Sequence, residues 1–244
     1  MGPPVASSGV GATELLLVRH GESVGNVAYR AAYARNSQVI DLDGRDADIE
    51  LSDLGIQQAQ ALGRRLGDLD GPAAPQAVWC STHARARQTA RLALDTAGSD
   101  LGVRLDERLR DREAGVLDRL TARGVHELFP EEARRRDQVG KFFHRPAGGE
   151  SWADLALRVR SVLRDIDTDD SGRRVLVVAH DAVVLVFRYV CERLDEAEVM
   201  RIRRSVSVAN ASVTRLVRPS GEGPWDVDYF NAVEHLDDCR DRTE

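Results

Sequence analysis

Four short apolar runs mark out the chain, at 14–18 (ELLLV), 77–80 (AVWC), 174–178 (RVLVV) and 213–217 (VTRLV). They are too short for typical helices and show little polar alternation, so they predict β-strands buried on both faces. Segments with helical periodicity separate them, at 53–66, 83–97, 151–166, 182–190 and 195–203. Strands that alternate with helices predict an α/β fold, in which helices cover both faces of a largely parallel sheet.

The segment 28–50 is polar and lacks clear periodicity, so we expect an irregular insertion near one end of the sheet. Residues 1–12 are rich in Gly, Pro, Ser and Ala, which predicts a disordered segment without the features of a secretory signal. A chain of 244 residues, 42% of them hydrophobic, has enough apolar surface for one core. We therefore expect a single domain over 13–244.

Composition argues against several classes of partner. The formal net charge of −6 gives no electrostatic basis for binding nucleic acid or an anionic membrane. No run is long enough for a membrane span. Three widely separated cysteines form neither a disulfide framework nor a CxxC site. These features predict a cytoplasmic protein and leave its oligomeric state open.

Basic side chains follow the predicted strands. Arg19 and His20 end the first strand, His180 ends the third, and Arg85 lies in the first turn of the helix after the second. Ligands of open α/β sheets gather at the carboxyl ends of the strands, so these four side chains are expected in one pocket. The alternative for Arg85 is a solvated helix face, and for a histidine at a strand end, a structural hydrogen bond.

Two guanidinium and two imidazole groups without metal-binding carboxylates favour a phosphate site. Guanidinium groups bind phosphate oxygens in pairs, and a histidine can attack phosphorus to form a phosphohistidine. The sequence has no GxxxxGK[ST], GxGxxG or HExxH pattern, so we expect neither a cofactor nor a metal. The remaining histidines are expected to be structural or on the surface: His83, His126, His144 and His235.

Four blocks resemble the histidine phosphatase superfamily, in its phosphoglycerate mutase-like branch. They are RHGES followed by Asn26, the S-x-x-x-R-A-x-Q-T-A pattern at 81–90, DREAG at 111–115 and VVAH at 177–180. The resemblance runs over about 14–217 and implies a three-layer α/β/α sandwich that works without metal. It implies His20 as nucleophile, a carboxylic acid within 111–113, and phosphate contacts from Arg19, Asn26, Arg85 and His180.

The stretch 111–155 also resembles the fructose-2,6-bisphosphatase domain of the bifunctional fructose enzyme. That resemblance implies that Arg136 and Lys141 hold a second phosphate, with Arg145 as a further candidate. Here one extra residue separates Arg136 from Lys141, and Phe129 stands where that family has a sugar-binding tyrosine. The alternative is that arginines 134–136 form a solvated helix face. Glu150 is expected to position the helix start or the pocket lip.

Three carboxyl groups are candidates for the general acid. Asp111 is preferred, because it stands four residues before the glycine of DREAG, where the resemblance places the acid of the family. Glu113 would share a face with Asp111 in an extended segment. Asp181 follows His180, where a carboxylate can also cap the next helix.

The expected function is hydrolysis of a small phosphorylated substrate through a phosphohistidine on His20. One alternative is a phosphoglycerate mutase, although GVLDRLTARG stands where such mutases carry GxLQGxNK. The other alternative is a non-catalytic phosphate-binding or protein-interaction module.

Overall fold

The computed structural model describes residues 10–69 and 71–240. Within these residues six strands form one sheet: β1 (Glu14–Arg19), β2 (Ala77–Ser81), β3 (Val103–Asp106), β4 (Arg174–Ala179), β5 (Val213–Val217) and β6 (Asp226–Ala232). The strand order is β3-β2-β4-β1-β5-β6. The first four strands of this order are parallel, β5 is antiparallel to β1, and β6 is antiparallel to β5. The prediction of a mostly parallel sheet is confirmed.

Helices cover both faces of the sheet. They are α1 (Val24–Ala34), α2 (Asp53–Gly67), α3 (Ala84–Ala97), α4 (Ala122–Leu128), α5 (Pro130–Val139), α6 (Trp152–Asp169), α7 (Asp181–Cys191), α8 (Glu196–Ser205) and α9 (Asp237–Arg240). Alternate residues of β1 point to opposite faces, because side chains alternate along a strand. Leu15 and Leu17 join a core with α6 and α7, whereas Leu16 and Val18 join a core with α2 and α3. The fold is therefore the expected three-layer α/β/α sandwich.

Two strands and four helices, α1, α4, α5 and α9, were not among the predicted elements. The edge strands β3 and β6 carry polar residues and are partly exposed, so neither has the continuous apolar run of an inner strand. The segment 28–50 is not wholly irregular, because α1 extends to Ala34. Ser23 caps that helix, and the side chain of Asn26 bonds back to the backbone of Ser23, as in a capping box.

The N-terminal segment expected to be disordered, 1–12, lies mostly outside the described residues. Its last part is packed. The amide of Gly11 donates to the carbonyl of Gly221 at 2.9 Å, and Ala12 is fully buried. The packed part of the chain therefore begins before residue 13.

The register of the parallel strands brings their carboxyl ends together. Arg19 on β1 pairs with Ala179 on β4, so His20 and His180 both follow directly after a matched pair. The loop after β1 lies tightly against α2, since a Cβ at Gly21 would meet the carbonyl oxygen of Gly55 at 2.6 Å. Only glycine permits this approach, which fixes the backbone that carries His20. Among the described residues, no helix has the length and apolar character needed to cross a bilayer.

Candidate active site

A cleft of about 340 Å³ opens at the carboxyl ends of the central strands. Three of the four side chains expected in one pocket, Arg19, His20 and Arg85, line it, together with residues from the 28–50 segment and from α8, whereas His180 is fully buried. The lining includes Arg19, His20, Asn26, Tyr29, Asp46, Arg85, Asp111, Arg119, Asp181 and Arg203. The fold therefore gathers side chains from sequence positions 19 to 203 around one space.

His20 is buried at the floor of this cleft. Its Nδ1 lies 2.7 Å from the carbonyl oxygen of Gly21, so Nδ1 carries the proton and Nε2 keeps a lone pair. The Nε–H of Arg85 donates to the lone pair of that Nε2 at 3.3 Å. Burial, followed by His180 and then the charge of Arg85, holds the pKa of His20 well below its usual range. The ring is therefore a neutral imidazole with a nucleophilic nitrogen.

His180 is fully buried beside His20, with the ring centres 5.2 Å apart. Its Nε2 lies 2.8 Å from the hydroxyl of Ser81, at the end of β2. Its Nδ1 lies 3.5 Å from a carboxylate oxygen of Asp111 and makes no hydrogen bond within the described residues. Burial is the main cause that lowers the pKa of His180, followed by the charge of Arg85. With the hydroxyl donating to Nε2, Nδ1 carries the proton and is available as a donor.

Arg85 is 4% exposed and projects from the first turn of α3. It does not lie on the solvated helix face that was its alternative. Its two terminal nitrogens bind the carboxylate of Asp46, at 3.2 and 3.0 Å. One of them also lies 3.3 Å from Asp111. The guanidinium group thus contacts His20, Asp111 and Asp46 at once.

Arg19 and Asn26 complete the expected phosphate contacts. One terminal nitrogen of Arg19 donates to the carbonyl of Val208, while its buried Nε has no partner within the described residues. The side-chain oxygen of Asn26 accepts from Ser23 and from Asn210. Because this oxygen is occupied, the amide nitrogen of Asn26 is the group left to donate into the cleft.

The three candidate acids occupy different surroundings. Asp111 lines the cleft and contacts both Arg85 and His180. Glu113 is exposed, and its carboxylate accepts from the amide of Gly115 at 3.3 Å, within its own loop. Asp181 lines the cleft but is the first residue of α7, where its carboxylate accepts from the amide of Ala182. Of the three, Asp111 is the one in contact with both Arg85 and His180.

A buried ion pair holds the loop that carries Asp111. The guanidinium group of Arg158 donates to the carbonyls of Arg110 at 2.9 Å and Asp111 at 3.0 Å, and also to that of Arg108. The carboxylate of Glu150 binds Arg158 at 2.9 Å and the amide of Glu113 at 3.1 Å. Glu150 thus braces the loop 108–113, whereas the cap of α6 is made by Ser151 and Asp154.

A second cleft lies next to the first, and Tyr29 and Arg119 line both. Arg136 and Lys141 both line this second cleft, together with Arg112 and Tyr33. Lys141 is exposed overall, yet its pKa is lowered, first by partial desolvation and then by the charges of Arg203, Arg112 and Arg136. Several positively charged side chains therefore lie close together at this cleft and repel one another.

Other expected residues lie elsewhere. Arg145 is exposed and pairs with Asp154 at the start of α6, with a distance of 2.6 Å from its Nε to the carboxylate. Phe129 lies at the junction of α4 and α5. By contrast, Tyr29 and Tyr33 of the 28–50 segment line the second cleft with ring centres 4.5 Å apart, and Arg35 of the same segment folds back onto the carbonyl of Ala31.

No role was predicted from the sequence for the cleft residues Asp46, Arg119 and Arg203, or for His83 beside His180. His83, expected to be structural or on the surface, is buried with its ring centre 4.9 Å from that of His180. Its place just after β2 was the available signal, the same one that identified His20 and His180. No sequence pattern indicated that Asp46 or Arg203 would lie in the site, because Asp46 lies in a polar loop and Arg203 on a polar helix.

The described residues contain no group of three or more His, Cys, Asp and Glu side chains with the arrangement of a metal site. The positive charge at the cleft comes from its arginines, Arg19, Arg85, Arg119 and Arg203. Guanidinium groups held in a buried cleft can balance the charge of a phosphoryl group.

Comparisons with known proteins agree with this geometry. The model of the histidine phosphatase superfamily (branch 1) matches residues 15–232. A metal-independent phosphoserine phosphatase of Arabidopsis thaliana is 30% identical, over 92% of this chain and 83% of its own length. A probable phosphoglycerate mutase of Erwinia tasmaniensis is also 30% identical, over 92% of this chain and 95% of its own. The solved structure of a mycobacterial glucosyl-3-phosphoglycerate phosphatase with VO3 is 28% identical, with a TM-score of 0.67, and the match covers 91% of this chain and 100% of that one.

Proposed function

The chain belongs to the histidine phosphatase superfamily, branch 1, and from that premise we propose that it is a metal-independent phosphomonoesterase that acts through a phosphohistidine on His20. The observation that carries the proposal is the state of His20. Its ring is neutral, its Nδ1 is bound to the carbonyl of Gly21, and its Nε2 lies beside the guanidinium group of Arg85. This tautomer gives Nε2 the lone pair that a nitrogen nucleophile needs, and the Arg85 N–H that donates to it would turn to a phosphoryl oxygen when substrate binds.

In the first step, the lone pair of His20 Nε2 attacks phosphorus, and the bond from phosphorus to the leaving oxygen breaks. Arg19, Arg85 and the Nδ1–H of His180 balance the charge that develops on the other phosphoryl oxygens. The carboxyl group of Asp111 gives its proton to the leaving oxygen. Asp111 is suited to this role because it lines the cleft and contacts both Arg85 and His180.

In the second step, water attacks the phosphohistidine, and the bond from phosphorus to Nε2 breaks. The carboxylate of Asp111 takes a proton from that water, which restores the acid. The products are inorganic phosphate and neutral His20. The pair of Glu150 and Arg158 acts on both steps indirectly, because it holds the backbone of Asp111 in place.

We further propose that the substrate is a small phosphorylated metabolite with a second anionic group. The second cleft supports this, because Arg136 and Lys141 line it beside Arg112 and adjoin the catalytic cleft through Tyr29. A phosphate or carboxylate on the leaving group would relieve the mutual repulsion of these cations.

The test is a rapid-quench experiment in the presence of EDTA. Purified protein is mixed with labelled phosphoserine, 3-phosphoglycerate or p-nitrophenyl phosphate, and base-stable, acid-labile label is measured alongside free phosphate. We expect label on the wild type, none on His20→Asn, and unchanged labelling of His126→Asn, an exposed control histidine. An active His20→Asn, or loss of activity with EDTA that divalent metal restores, would contradict the proposal. Transfer of the label to a phosphoglycerate in place of water would identify a mutase.

A further inference from the structure

Asp46 makes a contact that the proposed mechanism does not use. Its two carboxylate oxygens lie 3.2 and 3.0 Å from the two terminal nitrogens of Arg85, and its backbone carbonyl lies 2.7 Å from one of them. The guanidinium group is thus bound edge-on by a carboxylate. This is the paired geometry in which arginine also binds two oxygens of a phosphate.

The carboxylate of Asp46 is held by the cleft on one side and faces solvent on the other. The side chain is 49% exposed, whereas that of Arg85 is 5% exposed. Besides Arg85, the imidazole of His83 lies 4.0 Å from this carboxylate, and the charge of Asp46 helps, after burial, to raise the pKa of Asp118. Rotation of the Asp46 side chain into solvent therefore leaves no buried charge on Asp46. The buried guanidinium of Arg85 keeps Asp111 at 3.3 Å and can take phosphoryl oxygens in place of Asp46.

The segment that carries Asp46 is tethered close to the cleft. Asp46 begins a short 3-10 turn, Asp46–Asp48, and the side chain of Arg119 binds the carbonyls of Leu42 and Gly44 just before it. The carboxylate therefore has a high effective concentration at Arg85, because the backbone need not move for it to return.

From these contacts we propose that the Asp46 carboxylate competes with phosphoryl groups for the N–H donors of Arg85. A substrate phosphoryl group must displace this carboxylate, and its return helps to expel product phosphate. The proposal rests on the proposed function, since it requires that phosphoryl oxygens bind Arg85. Two anions cannot both take the same pair of N–H donors, so removal of the Asp46 charge should tighten the binding of any phosphoryl dianion. In this role Asp46 is a residue that sets the affinity of the cleft for the phosphoryl group.

The experiment measures the inhibition constant of inorganic phosphate, and its dissociation constant by calorimetry, for the wild type, Asp46→Asn and Asp46→Ala. Asp48→Asn is the matched control, because Asp48 lies in the same turn and pairs with Arg45 at 3.6 Å, away from Arg85. We expect both Asp46 variants to bind phosphate on the order of tenfold more tightly, with the KM for p-nitrophenyl phosphate lowered in parallel. The control should match the wild type.

Unchanged or weaker phosphate binding in both Asp46 variants, with wild-type folding by circular dichroism, would overturn the proposal and make Asp46 a fixed support of Arg85. Calorimetry separates this result from failure of the proposed function. A wild type that hydrolyses p-nitrophenyl phosphate, with no gain in phosphate affinity in the variants, contradicts only the Asp46 proposal. A wild type that neither hydrolyses it nor binds phosphate contradicts both.

Discussion

Nδ1 of His20 lies 2.7 Å from the carbonyl oxygen of its own chain neighbour, Gly21. This short contact orients the ring and assigns the proton to Nδ1, so the opposite nitrogen faces the cleft as a lone pair. The loop geometry that allows it depends on the close approach of Gly21 to Gly55. The chemistry of the site thus begins with a local backbone feature.

The histidines make stability depend on pH. Burial is the main cause that holds the pKa of His20 and His180 well below 6.5, so the unfolded chain takes up protons there before the folded chain does. Stability should therefore fall as pH drops below about 6.5, by up to about 1.4 kcal/mol per pH unit for each histidine, and gain nothing from them above about pH 7.5. The free energy of unfolding, measured with urea at several pH values, should fall less steeply with decreasing pH in His180→Asn than in the wild type. In His126→Asn its dependence on pH should be unchanged. Equal slopes in all three proteins would show that His180 titrates normally in the fold.

Arg85 is expected to make the largest contribution to balancing the negative charge on the phosphoryl oxygens. Arg85→Ala should lose about 2–4 kcal/mol of transition-state stabilisation, measured from kcat/KM, as for one preorganised donor. Arg85→Lys should recover only part, because an ammonium group cannot present two parallel donors. Arg87→Ala is the control, since Arg87 is exposed on the same helix. Wild-type activity of Arg85→Lys would place Arg85 outside the reacting groups.

The choice between Asp111 and Glu113 can be made with leaving groups. Asp111→Asn should slow alkyl phosphates strongly and spare p-nitrophenyl phosphate, whose phenolate leaves with little need of a proton. Glu113→Gln should affect both substrates little, because the Glu113 carboxylate bonds within its own loop. If the selective loss appears in Glu113→Gln, the general acid is Glu113.

The second cleft predicts a defect confined to substrate binding. The double variant Arg136→Gln with Lys141→Gln should raise KM for substrates with a second anionic group, and leave kcat and the KM for p-nitrophenyl phosphate unchanged. Arg135→Gln is the matched control, since Arg135 is exposed on the same helix and does not line that cleft. The same KM shift for both substrate types would mean that Arg136 and Lys141 belong to a solvated face.

The buried pair beneath Asp111 predicts a stability effect. Glu150→Gln would leave the guanidinium of Arg158, which is 10% exposed, without its carboxylate partner. We expect a loss of about 2–3 kcal/mol in the free energy of unfolding, measured with urea. Arg145→Gln is the control and should leave the free energy of unfolding close to that of the wild type, since that side chain is 63% exposed in its pair with Asp154. A Glu150→Gln protein as stable as wild type would show that the loop does not depend on this pair.

The sequence by itself determined the inner strands and the basic residues at their ends. The runs at 14–18 and 174–178 are buried on both faces, so their apolar character is continuous and local. Arg19, His20 and His180 follow those runs directly, and parallel strands bring their carboxyl ends to one edge. Both signals lie within a few residues along the chain, which is why no tertiary information was needed.

Tertiary structure alone decided which distant side chains complete the cleft. Asp46 reaches Arg85 from a polar loop, and the Glu150–Arg158 pair reaches the loop of Asp111 from another helix. Such contacts depend on loop path and helix docking, and polar residues in loops carry no periodic signal of where they will lie. The edge strands β3 and β6 were not predicted for a related reason. An edge strand is partly solvated, and its pairing is set by its neighbour in space and not by an apolar pattern of its own.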